Sequence, residues 1–185
     1  TRLKLQLAML KQKDLSQSMS KDIDEMEKML NDYLQYAKTQ SQENTTNVNL
    51  NEMFLEISKS TTPERIKILG HDQIDVNGRS LALKRCFENL IQNGLTYGNN
   101  VNVNFKKGNN RVSISIEDDG PGIPEDQYKN VFKPFYRLDK SRSLNKSGVG
   151  LGLAIVEDVI NSHGGNIQLG KSKLNGLLVR ISLPF

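Results

Sequence analysis

Tryptophan is absent from this sequence of 185 residues, and cysteine and histidine are scarce, with one Cys and two His. A single cysteine, Cys86, excludes an internal disulfide and any zinc site built from clustered thiolates. His71 and His163 leave no room for a histidine-rich metal centre. No run of about 18 apolar residues occurs, so no segment is expected to span a bilayer. No apolar signal core follows Thr1. Neither sign of charge dominates: 25 Lys and Arg face 21 Asp and Glu, a net charge of +4. The mean hydropathy of −0.52 is that expected of a soluble protein, and the single cysteine suits a reducing, cytosolic setting. The small basic excess is scattered. Without a basic stripe or an aromatic platform it argues against nucleic acid as the partner, and it suits anionic ligands such as phosphates at least as well. The length allows one domain with a true core, alone or with a helical appendage.

Glycine and proline are also missing from Thr1 to about Lys38. Apolar residues recur there as Leu3, Leu7 and Leu10, then as Met19, Ile23, Met26, Leu30, Tyr33 and Ala37. The second set alternates steps of four and three, which is a heptad seam. Lys13 to Ser16 offers a turn between the sets. The pattern predicts two antiparallel helices over residues 1–40, a hairpin too thin to bury both apolar faces. A second copy would complete a dimeric four-helix bundle; packing on the rest of the same chain is the alternative. The helical pattern starts abruptly at Thr1, as in a piece of a longer protein. Residues 41–46 are polar and aperiodic and read as a linker, which leaves 47–185 as a second domain.

That domain alternates helices and strands. Val48–Leu50 reads as a short strand and Asn51 as the cap of a helix carrying Met53, Phe54 and Ile57. Ile66–Leu69 reads as a strand. Ser80 opens a helix to about Asn93. Val101–Phe105 and Val112–Ile116 alternate apolar and polar residues around Gly108-Asn-Asn110, a β-hairpin. Leu151–Ser162 is helical, and a last strand pair turns at Asn175-Gly176. The expectation is an α+β chain: a helical-hairpin remnant, then an α/β sandwich with a mixed sheet. Between Asp118 and Gly148 the chain is irregular for longer than most loops, the mark of a functional lid or of disorder.

Three patches carry chemistry. Asn89 and Asn93 stand four apart, on one helix face, and a carboxamide oxygen suits Mg²⁺ that arrives on phosphates. Taken alone they are more simply two solvated asparagines. Asp118-Asp-Gly-Pro-Gly122 follows a strand. A carboxylate there can accept from an exocyclic amine, and Gly120 and Gly122 let backbone approach a flat ring. Taken alone it is an ordinary turn. Gly148-Val149-Gly150-Leu151-Gly152 opens a helix, whose free N–H groups suit a phosphate. It is neither a Rossmann fingerprint nor a P-loop.

In this order the three patches resemble the N, G1 and G2 boxes of the GHKL, or Bergerat-fold, ATP-binding domains. Phe132-Lys-Pro-Phe135-Tyr-Arg137 resembles the F box of sensor histidine kinases. Tyr36-Ala37, His163-Gly-Gly165 and Thr1-Arg-Leu3 are similar to that family too, the last to the continuation of its phosphoacceptor box. Within the family, Glu117 to Ile123 and the hairpin before it resemble the osmosensor-type (EnvZ-like) kinases.

The resemblance implies a kinase that binds ATP and Mg²⁺ and transfers the γ-phosphate to a histidine, then to a response-regulator aspartate. It implies Asn93 on Mg²⁺ with Asn89 in support, Asp118 on the adenine amine, and Gly120 and Gly122 shaping that pocket. Tyr97 would line the wall and Arg142 would touch the phosphates. Gly148, Val149, Gly150, Leu151 and Gly152 would hinge the lid and offer N–H groups. It also implies a homodimer through the hairpin, a receiver domain as partner, and a cytoplasmic part of a bacterial inner-membrane protein, anchored by segments outside these residues. The acceptor histidine would lie six residues before Thr1, and neither His71 nor His163 is expected to replace it. Thr96 stands where the family often has a basic residue, and Gly94 replaces its usual alanine. The alternatives are a GHKL ATPase with water as acceptor and a non-catalytic dimerisation scaffold with a degenerate nucleotide site.

Overall fold

Asn49, rather than Asn51, caps the first helix of the main domain. Its side-chain oxygen accepts from the Glu52 N–H at 3.0 Å, so the helix begins at Leu50, earlier than the hydrophobic spacing suggests. A computed structural model describes residues 43–70, 73–138 and 150–185, with Met19, Ser20, Ile23, Asp24 and Glu27. The chain divides into two units, Thr1–Ser41 and Gln42–Phe185. The five described residues of the first unit are helical. The rest of the expected hairpin, its seam and its dimer lie outside the described residues, as does His71.

In the second unit β1 (Thr46–Asn49) leads into α1 (Leu50–Ser60), followed by β2 (Ile66–Ile68) and β3 (Asp75–Gly78). Then come α2 (Ser80–Tyr97), β4 (Val101–Lys107), β5 (Arg111–Asp118), α3 (Gly152–Ser162), β6 (Asn166–Lys171) and β7 (Leu177–Pro184). β1 and β3 form a separate antiparallel pair; the main sheet has the order β2-β4-β5-β7-β6. β2 runs parallel to β4, and the other neighbours are antiparallel. The sheet is therefore mixed, as expected.

Period-two alternation sends Val101, Val103 and Phe105 of β4, Val112, Ile114 and Ile116 of β5, and Val179, Ile181 and Leu183 of β7 into one buried core. Asn102, Asn104, Ser113, Ser115, Arg180 and Ser182 alternate with them and are half-buried or exposed. The helices cover the apolar side with Phe54, Ile57, Leu83, Phe87, Ile91, Val156 and Ile160. At the centre Phe54 lies 4.7 Å from Phe87 and 5.4 Å from Phe105, ring centroid to centroid. Cys86 is fully buried on α2, and burial pushes its thiol up, away from thiolate chemistry.

The start of α2 is held by residues far away in sequence. Arg79 is the N-cap and makes no side-chain capping bond; its guanidinium donates instead to the Ser162 hydroxyl of α3 at 2.5 Å. Glu43 accepts from the Leu81 N–H at 2.6 Å and the Ala82 N–H at 3.1 Å, a favourable place for a carboxylate. His163 Nε2 accepts from the Arg79 N–H at 3.0 Å. Its Nδ1 lies 2.7 Å from the Val159 carbonyl, which can only accept, so the proton sits on Nδ1 and the ring is neutral. His163 thus satisfies a terminal carbonyl of α3, as its position predicts, and also ties α3 to α2. Burial is the main cause of its lowered pKa. No helix among the described residues is long and apolar enough to cross a membrane.

Candidate functional site

β5 ends on Asp118, which is 9% exposed. Its Oδ1 accepts from the Gly120 N–H at 2.9 Å and the Leu177 N–H at 3.1 Å. Both backbone donors meet Oδ1, and Oδ2 lies 3.8 Å from where a Gly94 Cβ would be. Burial raises the Asp118 pKa, and the two N–H bonds work against that rise. Asp119 has a different task. It accepts from the Asn99 N–H at 2.6 Å, the Asn100 N–H at 2.9 Å and the Asn100 side chain at 2.8 Å. Those bonds, Asn100 first, lower its pKa and fix the turn between α2 and β4.

Consecutive residues of α2 touch the other two patches. A Cβ on Gly94 would stand 2.6 Å from Val101 Cγ2 and 3.3 Å from Asp118 Cβ. Glycine there is a packing requirement: the helix lies directly on the strand end. Asn93, half-buried, has its Nδ2 3.6 Å from where a Gly152 Cβ would be. α3 begins at Gly152 with Leu151 as its N-cap and without a side-chain cap, so its first N–H groups are available to an anion. Asn89 is half-buried one turn before Asn93, and Tyr97 is 49% exposed at the end of α2.

The expected long loop is structured for part of its length. A 3₁₀ turn occupies Glu125–Gln127. Gln127 Oε1 accepts from the Tyr136 hydroxyl at 2.5 Å and the Asn130 side chain at 3.1 Å. The Phe135 N–H donates to the Gly150 carbonyl at 2.9 Å, which joins the Phe132–Arg137 stretch to the glycine patch. Gly150 has φ +77°, and a Cβ on it would lie 2.7 Å from the Tyr136 carbonyl oxygen. Phe132 is half-buried and Phe135 is 62% exposed. Arg142, Gly148 and Val149 lie outside the described residues.

Gly122 has φ +71°, which a side chain rarely tolerates, and Gly120 sits 3.0 Å from the Tyr97 carbonyl by its absent Cβ. The close neighbours of both glycines are the protein's own atoms, the Tyr97 carbonyl at Gly120 and the Gly176 carbonyl at Gly122. Gly176, marked in the sequence as a turn residue, also packs on Asp118. A Cβ there would collide with the Asp118 carboxylate and carbonyl and stand 2.6 Å from the Gly120 N. The Asn175-Gly176 turn signal marked a hairpin, not its contact with Asp118.

Residues 78–185 match the family described as histidine kinase-, DNA gyrase B-, and HSP90-like ATPase. The chain belongs to this family. The relatives it matches include sensor histidine kinases. It is 34% identical to the sensor histidine kinase GtrS of Pseudomonas aeruginosa over 186 residues, covering 100% of this chain and 38% of GtrS. It is 33% identical to the sensor protein RstB of Escherichia coli over 184 residues, 91% of this chain and 41% of RstB. The chain thus spans about two-fifths of these relatives' length. The solved histidine kinase domain of the E. coli osmosensor EnvZ is 34% identical, with a TM-score of 0.59 over 78% of this chain and 91% of that one. The mixed sheet under three helices is the GHKL fold.

The GHKL assignment makes ATP the nucleotide to test against this geometry, and the fit of Mg²⁺ follows from the donor set. No cluster of three or more His, Cys, Asp or Glu among the described residues could cage a metal. Mg²⁺ bound to nucleotide phosphates needs only one or two protein oxygens; the Asn93 carboxamide carries one such oxygen, and its Nδ2 is the atom beside Gly152. Thr96 supplies no cation, and its hydroxyl donates to the Gln92 carbonyl at 2.7 Å.

Proposed function

We propose that this chain is the ATP-binding catalytic part of a two-component sensor histidine kinase. It would bind ATP·Mg²⁺ and present the γ-phosphate to a histidine, from which the phosphoryl group passes to an aspartate of a response regulator. The observation that carries this reading is the meeting of Asn93 with Gly152 and of Gly94 with Asp118, which gathers three separated motifs at one end of α2. The Asp118 carboxylate accepts the adenine amine. Gly120 and Gly122 let the ring approach, with Tyr97 at the wall. The N–H groups at the start of α3 face the phosphates, and Asn93, supported by Asn89, offers the carboxamide oxygen for Mg²⁺. Bound Mg²⁺ neutralises charge on the phosphates; the chain's own part is orientation, since phosphoryl transfer depends mainly on positioning and on fixed dipoles.

Further parts of the reading rest wholly or partly on residues outside the described ones. They are Arg142 on the phosphates, Gly148 and Val149 in the lid hinge, and domain limits of 1–40, 41–46 and 47–185. To these belong a homodimer through the hairpin, a receiver-domain partner and an inner-membrane parent. The test supplies a helical hairpin bearing the acceptor histidine in trans, with γ-labelled ATP and Mg²⁺. Acid-labile, base-stable label on that hairpin is the expected result. Label released only as free phosphate would point to an ATPase, and no nucleotide binding would point to a scaffold.

A further inference from the structure

The turn between β6 and β7 is gripped from both faces of β5. Glu117 and Asp118 are neighbours in an extended strand, so their side chains leave opposite faces. On the inner face Asp118 Oδ1 accepts from the Leu177 N–H at 3.1 Å. On the outer face Glu117 Oε2 accepts from the Ser172 hydroxyl at 3.0 Å and the Lys173 N–H at 3.2 Å. The turn is also closed on itself. The Ser172 N–H donates to the Gly176 carbonyl at 2.9 Å, and the Asn175 N–H to the Ser172 carbonyl at 3.2 Å. The Ser172 hydroxyl oxygen accepts from the Leu174 N–H at 2.9 Å. Ser172 is 5% exposed, and its hydroxyl is the shorter of the two links, with the Lys173 N–H, between Glu117 and the turn. Gly176 rests on Asp118 without space for a side chain, and its carbonyl lies under Gly122, 3.3 Å from that residue's absent Cβ. A shift of the turn therefore reaches Asp118 directly.

A carboxylate rotates about its last torsion at little cost. Which oxygen faces a ligand, and at what angle, depends on the donors that hold the other one. We propose that Glu117 and Ser172 are positioning residues for base selectivity: they hold the Ser172–Gly176 turn so that the Leu177 N–H pins Asp118 Oδ1 and leaves Oδ2 as the acceptor for the adenine amine. This rests on the adenine reading of Asp118. A clamp that served stability alone would change the affinity for all nucleotides together. A positioning clamp changes the preference between ATP and inosine triphosphate, in which a carbonyl oxygen replaces the amine.

The test measures binding of both nucleotides with Mg²⁺ to the 185-residue chain and to Ser172→Ala, Glu117→Ala, Glu117→Gln and Asp118→Asn. Ser172→Ala and Glu117→Ala are expected to lose roughly three- to tenfold of the preference for ATP, with inosine triphosphate affinity nearly unchanged. Glu117→Gln keeps an acceptor oxygen and should retain the preference. Ser172→Ala removes one hydroxyl only and stands in for Glu117→Ala if that variant fails to fold. An unchanged preference in Ser172→Ala, or equal losses for both nucleotides, would overturn the clamp. If Asp118→Asn also leaves the preference unchanged, the adenine reading falls with it; if Asp118→Asn alters it, only the clamp is wrong.

Discussion

Leu177 donates its backbone N–H to Asp118 Oδ1 across 3.1 Å, although 59 positions separate the two residues. With the Gly120 N–H on the same oxygen at 2.9 Å, it fixes which end of the carboxylate is engaged. The consequence for Asp118→Asn is specific. The side-chain oxygen of the asparagine must take the two backbone donors, so its NH₂ group points where Oδ2 was. It would then oppose an amine and suit a carbonyl. The preference for ATP over inosine triphosphate should be lost and should turn toward the latter, by roughly tenfold or more for a charge-assisted bond. Competition binding with both nucleotides reads this out.

The same carboxylate makes binding sensitive to pH. Burial raises the Asp118 pKa in the free protein, and only the ionised form leaves Oδ2 without a proton, able to accept the amine while Oδ1 takes the two backbone N–H groups. ATP affinity should therefore fall as pH drops through that raised value, earlier than an ordinary Asp would allow. Asp118→Asn should lack this dependence. A titration of ATP affinity from neutral pH to about pH 4 checks it.

His163 gives stability its own pH dependence. Its folded pKa lies below the unfolded value of ~6.5 because the ring is buried and its Nε2 accepts from the Arg79 N–H. The neutral ring's contribution is complete above the unfolded pKa. It is lost as pH falls through that value toward the lowered folded one. Thermal unfolding should show a drop in Tm over this range, and the drop should be smaller in His163→Ala.

Gly94→Ala sets two effects against each other. Alanine improves helix propensity by about 1 kcal/mol. The new Cβ would stand 2.6 Å from Val101 Cγ2, a buried and stiff side chain. Overpacking costs about 1–3 kcal/mol, so the variant should be less stable and, through Asp118, should bind ATP more weakly. Chemical denaturation and ATP titration of this variant test both parts.

Phe54→Ala removes the ring that meets both Phe87 and Phe105. The expected loss is about 3–5 kcal/mol, measured by denaturant unfolding, with no specific change in nucleotide preference among the molecules that remain folded.

Much of the fold was legible because it follows local periodicity. The hairpin Val101–Ile116, the α2 face with Leu83, Phe87 and Leu90, and the turn at Asn175-Gly176 all appear where alternation and turn residues place them. α2 extends to Tyr97 instead of stopping near Asn93, since Gly94 is held by close packing that helix propensity does not register. The Asp75–Gly78 fragment is a strand because Asn49 to Thr46 pairs with it, a long-range event. Asn93, Asp118, Gly120, Gly122, Gly150 and Gly152 were legible as motifs; Gly120, Gly122 and Gly150 stand at close approaches, while Gly152 is in ordinary contact with Asn93. The caps of α2 by Glu43 and His163, the structural task of Asp119 and the grip of Glu117 on Ser172 were not legible. Each joins residues distant in sequence, through side chains that look like ordinary surface polar groups.

Calorimetric titration of the chain with ATP, with and without Mg²⁺, tests the central claim most directly when paired with Asn93→Ala. Saturable binding that strengthens with Mg²⁺ in the native chain and loses that strengthening in Asn93→Ala is the predicted result. No saturable binding of ATP, or the same Mg²⁺ dependence in both proteins, would contradict it.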